Sequence, residues 1–204
     1  MALTLILVLL FLAQGQILGQ GAELGDLAGP ALLIGCCAQL GAIWAFRTSL
    51  PGPAMAALGR SCSFRKTLVL AFAAVLTILG AALAANALLQ VDFSSAQQIL
   101  HPFVGSWLGI LAVALLGPIV EEVIFRCIAI VWLSSFCRGW VAVLLAAIPF
   151  AFVHASSAEH MLFAFAAGVT LGATYQLSGS IVPGLLAHVC INSIALSQVM
   201  GHTA

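Results

Sequence analysis

The chain has 204 residues, 63% of them hydrophobic and only 6% charged, with a mean hydropathy of +1.21. Six acidic and six basic side chains cancel, and no basic tract exists to hold nucleic acid. A soluble domain would have about a quarter of its residues charged, so an all-α integral membrane bundle is expected, with no nucleic-acid partner.

Seven apolar runs follow one another: Ala2–Leu18, Leu27–Leu50, Thr67–Leu89, Trp107–Phe136, Trp140–Ala155, Met161–Leu177 and Ile181–Met200. Apolar residues fill every face of these runs, without period-two alternation, which predicts helices and not barrel strands. The expected fold is a polytopic transmembrane helical bundle of about seven spans, with six to eight allowed because Pro149 and Pro183 interrupt their runs. The first run lacks a basic start and a small-residue cleavage site, so it reads as a retained span. Pro51-Gly52-Pro53, His101-Pro102, Ser156-Ser157 and Ser178-Gly179-Ser180 punctuate the runs.

Basic residues set the orientation. Arg47, Arg60, Arg65, Lys66 and Arg138 fall in or beside two connections that seven spans place on one side. That side is expected to be cytoplasmic, with the N-terminus in and the C-terminus out. Glu23, Asp26, Asp92 and Glu159 then lie outside. A compact chain with short loops fits a bacterial inner membrane. The whole chain, 1–204, reads as one membrane domain: residues 1–105 carry no motif, and 106–200 hold the chemistry. Cys36, Cys37, Cys62, Cys127, Cys137 and Cys190 form no C-x-x-C pair, and read as small buried hydrophobes.

Glu121 and Glu122 stand in the middle of the fourth run, where an ionised side chain costs at least ~2.5–3.5 kcal/mol. Arg126, four residues after Glu122, shares its helix face and can pair with it. Glu121 is rotated ~100° away and is left available for chemistry. Phe150-x-x-x-His154 closes the fifth run, and His188-x-x-x-Asn192 puts an imidazole and a carboxamide on one face of the last. Ala164, Gly168 and Gly172 form a small-residue stripe for close helix packing.

Counting ~1.5 Å per residue from the cytoplasmic end puts Glu121 at ~22 Å, His154 at ~21 Å, Asn192 at ~18 Å, Arg126 at ~15 Å and His188 at ~12 Å. Within an error of ~3–6 Å, separate helices deliver their polar groups to one layer. A carboxylate and a histidine meeting there can deprotonate water. A second histidine and an asparagine amide can hold a developing oxyanion. That is an inventory for amide hydrolysis without a covalent nucleophile. No G-x-S-x-G or H-E-x-x-H occurs, and Cys190 points ~200° away from His188. No cofactor is expected, although two glutamates and two histidines leave a divalent metal open.

The motifs in order, Glu121-Glu122-Val123-Ile124-Phe125-Arg126, Phe150-Ala151-Phe152-Val153-His154, Gly168 with Gly172, and His188-Val189-Cys190-Ile191-Asn192, resemble the CPBP (Abi) family. That family includes the type II CAAX prenyl endopeptidases. The match runs from about Gly117 to Asn192. Cys127 departs from the pattern, since many relatives have glycine after the arginine.

The resemblance implies an intramembrane glutamic-type endopeptidase in which Glu121 and His154 activate water. His188 and Asn192 would form the oxyanion hole, with Glu122 and Arg126 in support. It also implies a membrane-associated protein or peptide as substrate. Two other readings are a non-catalytic immunity or scaffold protein and a proton-coupled transporter; the second lacks visible inverted repeats. Nothing in the sequence sets an oligomeric state.

Overall fold

The computed structural model describes residues 17, 20–45, 47–50, 52–89, 94–154 and 157–203. Among them the protein is helical throughout, with no strand. Five helices are long and apolar enough to cross a membrane, and a sixth, shorter one is equally apolar. This is an integral membrane protein with an all-α polytopic bundle. The run expected at Ala2–Leu18 lies almost wholly outside the described residues.

A helical turn at Gly21–Leu24 and a 3-10 turn at Gly25–Leu27 lead into α1, Ala28–Ala45. Two short helices occupy stretches that the hydropathy pattern leaves as connections: α2, Gly52–Leu58, and α4, Ser94–Val104. Between them stands α3, Phe64–Leu89. Neither short helix is long enough to register as a span. Phe103 of α4 is nevertheless fully buried, sharing a core with Ala28, Leu32 and Leu196.

The central helix, α5, runs Trp107–Leu133 and is the most buried of the spans. It is not a regular α-helix. Ala112–Leu116 and Val123–Ile130 are π-helical, and the first π segment has a visible cause. Pro118 has no N–H to give and crowds the turn before it. The Gly117 N–H bonds the Ala112 carbonyl, five residues back, which widens the helix just ahead of the two glutamates. Single π turns inside α-helices often mark functional sites.

Helix α6, Gly139–Val153, has only 15 residues. At ~1.5 Å per residue it rises ~22 Å, short of a ~30 Å hydrocarbon core. The helix is capped at its C-terminal end by His154.

Helix α7, Ala158–Ser178, starts at the Ser157 side chain, which accepts from the His160 N–H, and ends at Gly179 with φ +72°. Glycine suits that left-handed position because it has no Cβ to clash. The last helix, α8, spans Val182–Thr203 and packs against α3, α4, α5 and α7.

Small residues let α7 lie close on α6. A Cβ added at Gly172 would come 2.7 Å from Val143 Cγ1, and one at Gly168 would come 3.0 Å from Phe150 Cδ1. Ala164 sits further along the stripe in a cluster with Phe125, Phe150 and Ala151.

Candidate active site

The π segment lets α5 present two consecutive glutamates, both buried, to two different neighbours. Glu122 is 0% exposed, yet it is surrounded by partners. Its Oε2 lies 3.3 Å from Arg126 Nε, and its Oε1 lies 3.0 Å from His188 Nδ1. A carboxylate can only accept, so His188 donates from Nδ1 to Glu122. Arg126, 1% exposed, also donates from Nη2 to the Gly168 carbonyl at 3.4 Å and stacks its guanidinium 4.8 Å from the Phe150 ring. The ion pair is thus enclosed by α5, α7, α8 and an aromatic face.

Glu121 faces elsewhere. Its Oε2 is 3.5 Å from His154 Nε2 and also 3.5 Å from His188 Nε2. The backbone carbonyl of Phe150 holds His154 through Nδ1 at 2.8 Å. Because a carbonyl accepts, that nitrogen carries the proton and Nε2 of the neutral ring presents a lone pair. His188 has the same arrangement, with Nδ1 engaged by Glu122. Both imidazoles therefore turn a proton-accepting nitrogen toward one carboxylate oxygen. Three acceptors from α5, the end of α6 and α8 converge on one point.

The Phe150 ring organises this point. It lies 4.5 Å from the His154 ring, 5.9 Å from that of His188 and 5.2 Å, edge to face, from Phe125. The short α6 brings His154 in at the edge of the bundle, where its side chain is 28% exposed against 6% for His188. Of the two histidines beside Glu121, His154 is thus the more exposed.

Asn192 is placed differently from the histidines. Its Nδ2 donates to the backbone carbonyl of Val113 at 2.9 Å. In the π register that oxygen would be served by the N–H of residue 118, which proline lacks. One of its two amide hydrogens is thus spent on α5 and the second is unassigned.

Depth counting separates Glu121 from His188 by ~10 Å, whereas the two touch. The count begins α5 at Phe136, but the helix ends at Leu133, and its π turns pack more residues into each ångström of axis. Both effects lower Glu121 to the level of His188.

Two contributors are not evident from the motifs. Gly184 lies one turn before His188, and a Cβ there would approach Glu122 Oε2 to 3.1 Å. The sequence signal is the spacing Gly184, His188, Asn192, one stripe of α8 that meets α5 throughout. Pro118 is the other, three residues before Glu121, and its signal is a proline in the middle of a span. Among the described residues, no group of three or more His, Cys, Asp or Glu is arranged to hold a metal ion.

Neither a curated protein nor a solved structure matches the chain. Residues 103–194 match the family model of type II CAAX prenyl endopeptidase Rce1-like proteins, and the stretch includes Glu121, Glu122, Arg126, His154, His188 and Asn192. Over residues 103–194 the chain is therefore similar to the Rce1-like family of type II CAAX prenyl endopeptidases.

Proposed function

We propose that the protein hydrolyses a peptide bond of a membrane-associated protein or peptide, using a water molecule activated by Glu121 and His154. The observation that carries this reading is the convergence of Glu121 Oε2 with the Nε2 atoms of His154 and His188, each 3.5 Å away. Three proton acceptors at one point suit a donor O–H placed among them, and water is the donor that hydrolysis requires.

Glu121 or His154 takes a proton as the water oxygen attacks the scissile carbonyl carbon. A C–O bond forms and the carbonyl π electrons move onto oxygen. Passed from Glu121 Oε2 to His188 Nε2, 3.5 Å away, that proton makes an N–H that donates to the oxyanion while Nδ1–H stays on Glu122. The second amide hydrogen of Asn192 is the other candidate donor. Collapse restores the carbonyl, breaks the C–N bond and returns the proton to the leaving amine.

Arg126 has a supporting part. It neutralises Glu122, so the imidazolium of His188 meets a paired carboxylate and not an isolated one.

We place the basic end of the bundle in the cytoplasm of a bacterial cell. Arg60 lines a cavity of about 400 Å³ together with Ser134, Tyr175, Ile130 and Val131, and Gln176 bonds the Gly139 carbonyl beside Arg138. His154 is at the far end of α6 from that cavity, so substrate enters from the outer half of the membrane.

Terminal fragments of membrane proteins, compared between cells making wild-type protein and cells making Glu121→Gln, test the function. Fragments that depend on Glu121 and fall at least ~100-fold in His154→Ala fit water activation. Fragments unchanged by either substitution leave an immunity or scaffold role instead.

A further inference from the structure

Gln39 is a fully buried carboxamide, 0% exposed, in the membrane-spanning α1. Neither its Nε2 nor its Oε1 has a hydrogen-bond partner among the described residues. An amide with all its bonding capacity unmet is costly inside a lipid-shielded bundle, where no bulk water offsets the loss. Water activation at Glu121 and His154 makes no use of it.

The packing of α1 says where this amide lies. Leu32, Cys36, Gln39 and Ile43 form the buried stripe of the helix. At one end a Cβ added to Gly29 would meet Gly109 N at 2.8 Å, and Leu32 shares a core with Ala112 and Val113. At the other end Ile43 shares a core with Val123. The two helices therefore run in step, and Gln39 falls level with Ile119, within a turn of Glu121. Cys36, one turn earlier on the stripe, lies within electrostatic range of Glu121.

We infer that Gln39 is a substrate-binding residue, its carboxamide receiving the peptide backbone of the membrane-embedded substrate segment beside Glu121. A carboxamide offers N–H donors and an acceptor oxygen side by side, the complement of a backbone amide. A segment unwound for cleavage needs such partners, because the bilayer supplies none. Gln39 provides for one peptide unit, as an edge strand does in β-augmentation. The inference rests on the hydrolytic reading of Glu121.

The test is Gln39→Met, which keeps length and removes the amide. Its first readout is the set of Glu121-dependent terminal fragments in cells. A tenfold or greater loss of those fragments is expected, with accumulation and melting temperature equal to or above those of the wild type. A peptide spanning one such cleavage site, assayed with purified protein in nanodiscs, should show KM raised about tenfold with little change in kcat.

Fragments within twofold of wild type would overturn the inference while leaving Glu121 in place. So would a loss of fragments that tracks a lower melting temperature, which marks Gln39 as structural. Absence of any Glu121-dependent fragment would overturn the hydrolytic reading, and this inference with it.

Discussion

The Asn192 side chain donates at 2.9 Å to the carbonyl of Val113, an oxygen that Pro118 leaves without a donor in its own helix. A carboxamide on the last helix thus completes the hydrogen bonding of the helix that bears both glutamates. Asn192→Ala should cost about 1–3 kcal/mol, because an acceptor is stranded. Adding Pro118→Ala supplies an N–H to the same turn. The double variant should melt above Asn192→Ala alone, while cleavage stays low in both because the second amide hydrogen is gone. Equal melting of the two would show that Val113 is served by another donor.

Arg126 and Glu122 are both buried and hold each other within α5. Removing one partner leaves an uncompensated charge, so Arg126→Met should destabilise by about 3–5 kcal/mol. Arg126→Met with Glu122→Gln should recover much of that loss in a thermal melt in detergent. No recovery would mean that the guanidinium acts through Gly168 and Phe150 and not through Glu122.

Gly184 leaves room for Glu122 Oε2, which a Cβ would approach to 3.1 Å. Gly184→Ala should shift that oxygen by a few tenths of an ångström, loosening the grip on His188 Nδ1. Cleavage should fall several-fold with a melting temperature close to wild type, and Gly184→Val should fall further. Full activity in the valine variant would show that α8 can move away freely.

Gly172 sits against Val143, with a Cβ contact of 2.7 Å in prospect. Gly172→Val should separate α7 from α6 and cost about 1–3 kcal/mol by overpacking. His154, carried at the end of α6, should be displaced with it, so stability and cleavage drop together. Gly201, which has nothing within 4 Å of its Cβ position, is the control site for the same substitution.

Metal chelation should leave cleavage unchanged. Arg126 occupies one oxygen of Glu122, and both histidines spend Nδ1 on protein acceptors. A divalent ion would have to displace the guanidinium or share Glu121 with two imidazoles already set by other bonds. Loss of activity in a chelator, restored by one added metal, would contradict the water-activation scheme.

Much of the site was legible because its chemistry is unusual for its surroundings. A carboxylate pair inside an apolar run is conspicuous by its cost, and i,i+4 spacing alone pairs Glu122 with Arg126. The helices from Trp107 onward, and the stripe of Gly168 and Gly172, also follow from hydropathy and residue size. Composition determined a helical membrane bundle, since a backbone in lipid has few ways to satisfy its own hydrogen bonds.

Tertiary structure decided the rest. Sequence spacing gives no contact between elements far apart in the chain. It could not show that His188 bridges both glutamates, that Asn192 serves Val113, or that Gln39 stands level with the site. Those facts depend on helix register, on a π turn forced by one proline, and on a sixth helix of only 15 residues. Each sets side-chain positions to within an ångström or two, a precision that rise per residue cannot supply.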